Sequence, residues 1–407
     1  MIARITPGPL RGSIAAIPSK SEAHRLLICA ALADVPTRIP LSASSQDIDA
    51  TIRCLNAMGA DISLSDGDLR VTPIADPPAR CEADCGESGS TLRFLLPVAG
   101  ALGIETDFRM HGRLPERPIA PLDRELVRGG CTLTQPERDV LRISGELQPG
   151  AYTLPGDVSS QYITGMLLAL TLLDGESNLS ITGRLESASY IGITRRCMAS
   201  FGAKPEPIGD GYRIPGLGRY ASPGRMQIGG DWSNAAFWLC VSELPGCKVE
   251  VTGLDPDSAQ GDKRIVSALA ELRASEGECV LDAGDIPDLV PTIAACACAA
   301  GKELRVTHAE RLRIKESDRI ATVRQALNAL GGDVSETPDG LIVHRCKPTG
   351  GTVNAAGDHR IAMMAAVVSA GCTQQVVIHG AEAVNKSYPG FWRDFGSLGG
   401  RVELTEG

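Results

Sequence analysis

Residues 311–319 bring together groups that could hold an anion and move a proton. Seven of these nine residues are charged or hydroxylated. Within them, Lys315, Glu316, Asp318 and Arg319 supply an ammonium group, two carboxylates and a guanidinium group. Such a set suits anion binding and general acid–base chemistry. A solvated surface turn would have a similar composition, so the stretch by itself leaves both interpretations open.

A helix is predicted directly after this stretch. An apolar stripe with helical spacing is formed by Ile320, Val323, Leu327 and Leu330. Two glycines at 331 and 332 then end the helix. Ser317 or Asp318 could cap its N-terminus. The sequence therefore predicts that the charged groups lie in the turn that opens a helix.

Composition limits the kinds of protein and partner to consider. The chain has 407 residues, 43% of them hydrophobic and 22% charged, so two domains with sizeable cores are expected. A net charge of −9 and only 4% aromatic residues argue against nucleic acid or an anionic membrane as partner. We found no apolar run of membrane-spanning length and no signal-peptide core, which predicts a cytoplasmic protein. The 13 cysteines are scattered and fit reduced thiols rather than a metal site.

Two series of helices repeat along the chain. In the first series an apolar stripe ends in glycine and continues into a short strand. These glycines are Gly59, Gly129, Gly202, Gly331 and Gly399. Most neighbouring glycines of this series are about 70 residues apart, and one interval is nearly twice as long, which indicates one copy without the glycine. The spacing therefore predicts six copies of a unit with several strands and two helices. The copy without a glycine is expected near residue 267.

The second series consists of apolar runs whose first residues are polar. The runs cover residues 25–33, 91–102, 161–173, 235–241, 289–300 and 360–370. Because they are apolar nearly all round, they are predicted to be buried helices. Ser, Asn and Asp at their starts are ordinary caps. Capping does not explain Lys20, Gln161, His359 or Arg360 at the start of a core helix.

Six copies suggest two domains of three copies each. We predict an N-terminal domain of residues 13–225, and a C-terminal domain of residues 1–12 plus 226–407. If the buried helices of each domain run in the same direction, their N-termini gather and favour anions. The active site is therefore expected in a cleft between the two domains.

Several motifs resemble those of the 5-enolpyruvylshikimate-3-phosphate (EPSP) synthase family. They follow the family's order over nearly the whole chain. The motif residues are Lys20-Ser21 with Arg25, residues 86–93, Arg117-Pro118, Ser159-Ser160-Gln161, residues 315–319, Asp358-His359-Arg360 and Lys386. The resemblance implies an α/β fold of two similar domains, each with three βαβαββ units whose buried helices lie inside a shell of sheets and helices (an inside-out α/β barrel).

The resemblance also implies transfer of the enolpyruvyl group of phosphoenolpyruvate to the 5-hydroxyl of shikimate 3-phosphate, with release of phosphate. The residues implied for shikimate 3-phosphate are Lys20, Ser21, Arg25, Ser159, Ser160, Gln161, Ser187, Tyr190, Asp288 and Lys315. Those implied for phosphoenolpyruvate are Lys20, Gly89, Arg117, Gln161, Arg319, Arg360 and Lys386. No cofactor or metal is expected, and a monomer is the default.

In the reaction that the resemblance implies, the transfer is an addition followed by an elimination. The addition needs a base for the 5-hydroxyl group and an acid that protonates the methylene carbon of phosphoenolpyruvate. We expect Asp288 to be the base and Glu316 the proton donor to carbon. Lys315 is expected between this pair and the phosphate, and Lys20 joins the catalytic set.

Two alternatives remain open at this level. A related enolpyruvyl transferase acts on UDP-N-acetylglucosamine and uses a cysteine in the loop that corresponds to residues 109–117, where this chain has none. The other alternative is a protein of a different class, such as a non-catalytic anion-binding paralogue or an RNA-end enzyme with a related repeat architecture.

Overall fold

The computed structural model describes residues 1–65 and 67–406, and the chain divides into two compact units. The N-terminal unit is Pro18–Ile228, and the C-terminal unit joins Met1–Ile17 to Gly229–Gly407. The chain passes from one unit to the other twice, and both of these points lie a few residues further along the chain than the predicted boundaries. The α/β class predicted from the sequence is confirmed.

The chain begins with two strands that belong to the C-terminal unit, β1 (Ile2–Thr6) and β2 (Arg11–Ala15). The N-terminal unit then contains, in order, α1 (Lys20–Ala31), β3 (Thr37–Pro40), α2 (Gln46–Ala57), β4 (Asp61–Ser65), β5 (Asp68–Thr72), β6 (Arg80–Asp84), α3 (Gly89–Ala101), β7 (Glu105–Arg109), α4 (Leu122–Arg128), β8 (Cys131–Glu137), β9 (Val140–Gly145), β10 (Ala151–Pro155), α5 (Ser160–Leu170), β11 (Ser177–Thr182), α6 (Ala188–Ser200), β12 (Glu206–Ile208) and β13 (Gly211–Ile214).

The sheets of the N-terminal unit repeat one topology. Two four-stranded sheets have the orders β6-β7-β9-β8 and β10-β11-β13-β12. In each, the first two strands are parallel and the other pairs are antiparallel, as a βαβαββ unit requires. The third sheet has the order β3-β5-β4. Its missing first strand is replaced by Arg225, which bridges Arg38 in parallel.

The C-terminal unit continues with α7 (Trp232–Ser242), β14 (Lys248–Thr252), α8 (Ile265–Ala274), β15 (Glu278–Asp282), α9 (Val290–Ala300), β16 (Glu303–Thr307), α10 (Arg319–Ala329), β17 (Val334–Thr337), β18 (Gly340–Val343), β19 (Gly351–Asn354), α11 (His359–Ser369), β20 (Val376–His379), α12 (Phe391–Ser397) and β21 (Arg401–Thr405). Its sheets have the orders β14-β2, β15-β16-β18-β17 and β19-β20-β1-β21. Strand β1 pairs with β20 and β21, so the first strand of the chain completes the last sheet.

Within residues 1–65 and 67–406, each unit contains three buried helices, and these correspond to the six apolar runs found in the sequence. They are α1, α3 and α5 in the N-terminal unit and α7, α9 and α11 in the C-terminal unit. Five of them begin after a side chain that accepts a hydrogen bond from the first turn; these caps are Ser19, Ser88, Ser159, Asp231 and Asp358. Helix α9 instead follows a 3₁₀ turn, Pro287–Leu289.

The sequence left Ser317 and Asp318 as possible N-caps of α10. Asp318 is the cap, because its Oδ1 accepts a 3.1 Å hydrogen bond from the Ala321 amide. The copy without a terminal glycine is also present as a helix, since α8 spans the predicted position and ends at Ala274, with Ser275 as its C-cap.

Candidate active site

Arg319, the first residue of α10, forms the centre of a charged cluster in the C-terminal unit. Its Nη1 donates to Asp288 Oδ1 at 2.9 Å, and its Nη2 donates to Glu316 Oε2 at 2.7 Å. Its Nε donates to Asp358 Oδ2 at 2.8 Å. The Arg319 side chain is only 2% exposed, so three carboxylates surround a buried guanidinium group. A buried cation is stable only when its charge and hydrogen bonds are matched in this way.

Arg360, near the start of α11, binds the same aspartate from a second direction. Its Nη2 donates to Asp288 Oδ2 at 2.9 Å, and its Nη1 donates to the Asp288 backbone oxygen at 3.0 Å. Nη2 also donates to Ser233 Oγ at 2.7 Å. Asp288 therefore lies between two guanidinium groups that come from different helices.

These contacts shift the acidity of the cluster. Burial tends to raise the pKa of Asp288, but Arg360, Arg319 and Lys315 together hold that pKa well below its usual range. Asp358 behaves similarly: burial tends to raise its pKa, but Arg319 and His359 together lower it. Burial opposes ionisation of Arg319, yet the surrounding carboxylates raise its pKa. At neutral pH the cluster is therefore ionised at these three residues.

Lys315 precedes Glu316 and has an altered acidity. Burial lowers the pKa of Lys315 to about 8, although Asp288 and Glu316 act in the opposite direction. A lysine with such a pKa is a cation at neutral pH and can also give up its proton.

Lys386 lies at the end of the 3₁₀ turn Ala381–Lys386 and is 5% exposed.

The other two arginines of residues 311–319, Arg311 and Arg313, contact groups of the same unit. Arg313 forms ion pairs with Asp318 at 3.2 Å and with Glu336 at 3.0 Å. It therefore supports the start of α10. Arg311 Nη2 donates to the Gly284 backbone oxygen at 2.9 Å.

In the N-terminal unit, Lys20 begins α1 and forms an ion pair with α2. Lys20 Nζ lies 2.8 Å from Asp47 Oδ2, and the Asp47 side chain is 7% exposed. Because the carboxylate is nearly buried, this contact restrains the ammonium group more strongly than a surface ion pair would.

Gly89, the first residue of α3, lies against two guanidinium groups. A methyl group at this position would be 2.5 Å from Arg93 Nη1 and 2.8 Å from Arg117 Nη1. Gln161 is held in the same region, since its Oε1 accepts from Arg93 at 3.0 Å and its Nε2 donates to Ser90 at 2.9 Å. Glycine here leaves room for both arginines and for a ligand beside the helix N-terminus.

The other predicted residues of this unit surround α1, α5 and α6. Arg25 is buried, and its Nε donates to Thr194 Oγ1 at 2.7 Å, while its Nη2 donates to the Tyr190 backbone oxygen at 3.2 Å. Ser187 adopts a left-handed backbone with φ 54°, an uncommon conformation for a residue other than glycine. Ser159 caps α5, and Ser160 and Gln161 are its first two residues.

Thus the structure joins Asp288, Glu316, Arg319 and Arg360 in one network, as an anion and proton site would require. Three residues that hold the candidate side chains were not among the expected site residues: Ser233 and Asp358 contact the network, and Asp47 binds Lys20 in the N-terminal unit. Asp47 and Ser233 lie in the first turn of a helix, where polar residues are common, so their sequence context gave no distinguishing signal. Asp358 looked like a simple cap, and it does cap α11 while also binding Arg319.

Among residues 1–65 and 67–406, no group of three or more His, Cys, Asp or Glu side chains is arranged to hold a metal ion. In the same part of the chain, no helix combines the length and apolarity needed to cross a membrane.

Comparison with known proteins gave one family. The model of "EPSP synthase (3-phosphoshikimate 1-carboxyvinyltransferase)" matches residues 5–395. A protein of Clostridium kluyveri named 3-phosphoshikimate 1-carboxyvinyltransferase is 40% identical, with 98% of this chain and 97% of the relative covered. One of the same name from Clostridium beijerinckii is 36% identical with the same coverage. A solved EPSP synthase structure from Acinetobacter baumannii, 22% identical, covers 100% of both chains with a TM-score of 0.81.

Proposed function

The chain belongs to the EPSP synthase family, and from this premise we propose the reaction it catalyses. It transfers the enolpyruvyl group of phosphoenolpyruvate to the 5-hydroxyl of shikimate 3-phosphate and releases phosphate, a step of aromatic amino-acid biosynthesis. The observation that carries the proposal at the residue level is the network around Arg319. Two candidate acid–base carboxylates and the anion-binding Arg319 are joined there by hydrogen bonds of 2.7 and 2.9 Å.

Shikimate 3-phosphate is bound mainly by the N-terminal unit. Hydroxyl and amide groups suit its phosphate and ring hydroxyls, and a guanidinium group suits its carboxylate. The proposed ligands are Lys20, Ser21, Arg25, Ser159, Ser160, Gln161, Ser187 and Tyr190, with Asp288 and Lys315 from the C-terminal unit. The left-handed backbone of Ser187 supports this assignment, because strained backbone is often found at functional positions.

The ligands proposed for phosphoenolpyruvate are Lys20, Gly89, Arg117, Gln161, Arg319, Arg360 and Lys386. The close approach of Arg117 to Gly89 supports a phosphate position at the start of α3, where free backbone amides and a guanidinium group converge.

In the addition step Asp288 accepts the proton of the 5-hydroxyl, and the oxygen bonds to C2 of phosphoenolpyruvate. Glu316 donates a proton to C3 at the same time, which makes C2 electrophilic. A carboxylate held at a low pKa is a weak base, so Asp288 must lose part of its cationic surroundings first. Binding of phosphoenolpyruvate would have this effect, because the anion competes with Asp288 for its two partners, Arg319 and Arg360.

In the elimination step the Glu316 carboxylate takes a proton back from C3, the C2–O bond to phosphate breaks and the C2–C3 double bond returns. In this proposal Lys315 and Lys20 stabilise the charge on the departing phosphate, and Lys315 passes it a proton. The two steps consist of proton transfers and C–O bond changes, so we propose that they use no redox cofactor and no metal ion.

We also propose that the enzyme is a cytoplasmic monomer. The free cysteines fit a reducing compartment, and all proposed ligands come from a single chain. Light scattering after size exclusion would report the mass directly, and a dimer mass would contradict the monomer assignment.

A two-substrate assay tests the reaction. Purified protein with shikimate 3-phosphate and phosphoenolpyruvate is expected to release phosphate in the presence of a metal chelator. Omitting either substrate is the control. If phosphate appears only when UDP-N-acetylglucosamine replaces shikimate 3-phosphate, the acceptor we propose is wrong.

A further inference from the structure

Ser317 is a buried serine at the start of α10 that does not act as its N-cap. It is 2% exposed and precedes Asp318, which is the cap. Its hydroxyl group instead donates a 3.0 Å hydrogen bond to Asp358 Oδ2. Asp358 is fully buried and is the N-cap of α11. One hydroxyl group therefore connects the start of α10 to the start of α11.

Asp358 holds one edge of the Arg319 guanidinium group. Its Oδ2 accepts from Arg319 Nε at 2.8 Å, and its Oδ1 accepts from Arg319 Nη2 at 3.3 Å. The Arg360 amide also donates to Oδ1, at 3.0 Å. Ser317 and Arg319 Nε thus share one oxygen of the carboxylate. A carboxylate restrained by several directed hydrogen bonds restrains its arginine in turn, because a bidentate pair has a defined geometry.

The rest of the guanidinium group faces the two carboxylates proposed for proton transfer. Arg319 Nη1 donates to Asp288, and Nη2 also donates to Glu316. Phosphoenolpyruvate is proposed to compete with Asp288 for this arginine. The guanidinium group can exchange a partner at Nη1 and keep its orientation only if the edge at Asp358 stays fixed.

We propose that Ser317 is a positioning residue for phosphoenolpyruvate: by holding Asp358, it fixes the orientation of the Arg319 guanidinium group that binds the anion. This inference rests on the proposed function, in which Arg319 is a ligand of phosphoenolpyruvate. It adds a residue that acts on the substrate only through Asp358 and Arg319. Loss of the hydroxyl group would remove a donor from a buried carboxylate, where hydrogen bonds are worth most.

The Ser317 hydroxyl group has a second contact, to Thr322 of α10. The two hydroxyl oxygens are 3.0 Å apart. A serine hydroxyl has a single hydrogen, and that of Ser317 is directed to Asp358, so Ser317 is the acceptor in this contact. Thr322 also donates at 2.9 Å to the Asp318 backbone oxygen, so its one hydrogen has two acceptors. The hydrogen bond to the charged Asp358 is therefore the stronger contact of Ser317.

Ser317→Ala tests the role of the hydroxyl group with little change in volume. It should raise the KM for phosphoenolpyruvate about tenfold, the value of one hydrogen bond to a charged group. The kcat and the KM for shikimate 3-phosphate should change much less. Ser317→Thr keeps the hydroxyl group and should keep the wild-type KM. Ser369→Ala removes a buried hydroxyl group at the opposite end of α11 and is the matched control.

Thr322→Val distinguishes an effect through Asp358 from an effect through α10. It removes the hydroxyl group that contacts Ser317 within α10 and leaves the hydrogen bond from Ser317 to Asp358 in place. Its KM for phosphoenolpyruvate should stay near the wild-type value. Equal effects of Thr322→Val and Ser317→Ala would overturn the proposal. A Ser317→Ala effect no larger than that of Ser369→Ala, or a Ser317→Thr KM equal to that of Ser317→Ala, would overturn it too.

Hydrogen exchange of the Arg319 Nε proton tests the link without turnover. In the wild type this proton lies in a 2.8 Å hydrogen bond to a buried carboxylate, so nuclear magnetic resonance should show slow exchange with water. The signal is identified by its absence in Arg319→Lys. Ser317→Ala should speed the exchange several-fold, and Ser369→Ala should not. Equal rates in the wild type and Ser317→Ala would overturn the inference whatever the activity. Faster exchange in Ser317→Ala, together with absence of turnover in the wild type, would reject the proposed function alone.

Discussion

Arg319 Nη1 donates a 2.9 Å hydrogen bond to Asp288 Oδ1. The candidate base is thus held by a residue that we propose to bind phosphoenolpyruvate. While this pair is intact, the guanidinium group keeps the pKa of Asp288 low and the carboxylate basicity weak. Binding of an anion to Arg319 would relax that restraint. The base is therefore expected to become effective when the second substrate is present.

Glu316→Gln should reduce kcat by about 10²- to 10⁴-fold, because the amide cannot protonate carbon. The KM values should change much less, since Gln can still accept the hydrogen bond from Arg319. Steady-state kinetics with both substrates varied checks this. Glu310→Gln, on the exposed start of the preceding 3₁₀ turn, is the matched control. A change in KM alone would move Glu316 from proton transfer to binding.

Gly89→Ala should raise the KM for phosphoenolpyruvate about tenfold and leave the fold intact. The added methyl group would meet Arg93 and Arg117 at 2.5 and 2.8 Å, and the ends of these flexible side chains can move aside. The loss corresponds to one weakened charge-assisted hydrogen bond, about 1.5 kcal/mol. Gly396→Ala, a helical position with open space around the added methyl group, is the control. An unchanged KM would show that Arg117 is not a ligand.

Asp47→Asn should lower kcat/KM by about 10- to 100-fold, the value of one hydrogen bond between charged groups. The amide keeps the shape of the side chain but loses the ion pair with Lys20. Asp49→Asn alters an exposed acid on the same helix and should have no comparable effect. If Asp47→Asn is as active as the control, Lys20 does not depend on this ion pair.

Activity should fall as pH rises through about 8, since Lys315 then loses its charge. Burial lowers the pKa of Lys315 to about 8, so the ammonium form predominates below this value and the neutral amine above it. Lys315→Arg, which keeps its charge, should move this limb of the kcat/KM profile to higher pH even if its overall activity is lower. An identical alkaline limb in both proteins would exclude Lys315 as its source.

The helices could be predicted from the sequence because their signals are local. The six apolar runs were long enough to indicate buried helices, and Ser317 or Asp318 followed by an apolar stripe marked the start of α10. The positions of Lys20, Gly89 and Arg360 at helix starts followed from the same pattern. The α/β class followed from the repeated copies and the motif resemblance.

The contacts between elements could not be predicted in this way. Ser233 binds Arg360 although 127 positions separate them, and Arg319 binds Asp358 across 39 positions. Such pairs depend on how sheets and helices pack, which a local pattern does not contain. Strand pairing between distant segments could not be predicted for the same reason. Strand β2 precedes α1 in sequence but pairs with β14, and Arg225 bridges Arg38.

The most direct test of the account is the reaction in deuterium oxide followed by mass spectrometry. Addition followed by elimination protonates C3 and then removes one of three hydrogens from the resulting methyl group. We predict a product with the mass of shikimate 3-phosphate plus an enolpyruvyl group, carrying deuterium on its methylene carbon. The control reaction in ordinary water should give the unlabelled product. Unchanged shikimate 3-phosphate, or product without deuterium, would contradict the proposed transfer or its mechanism.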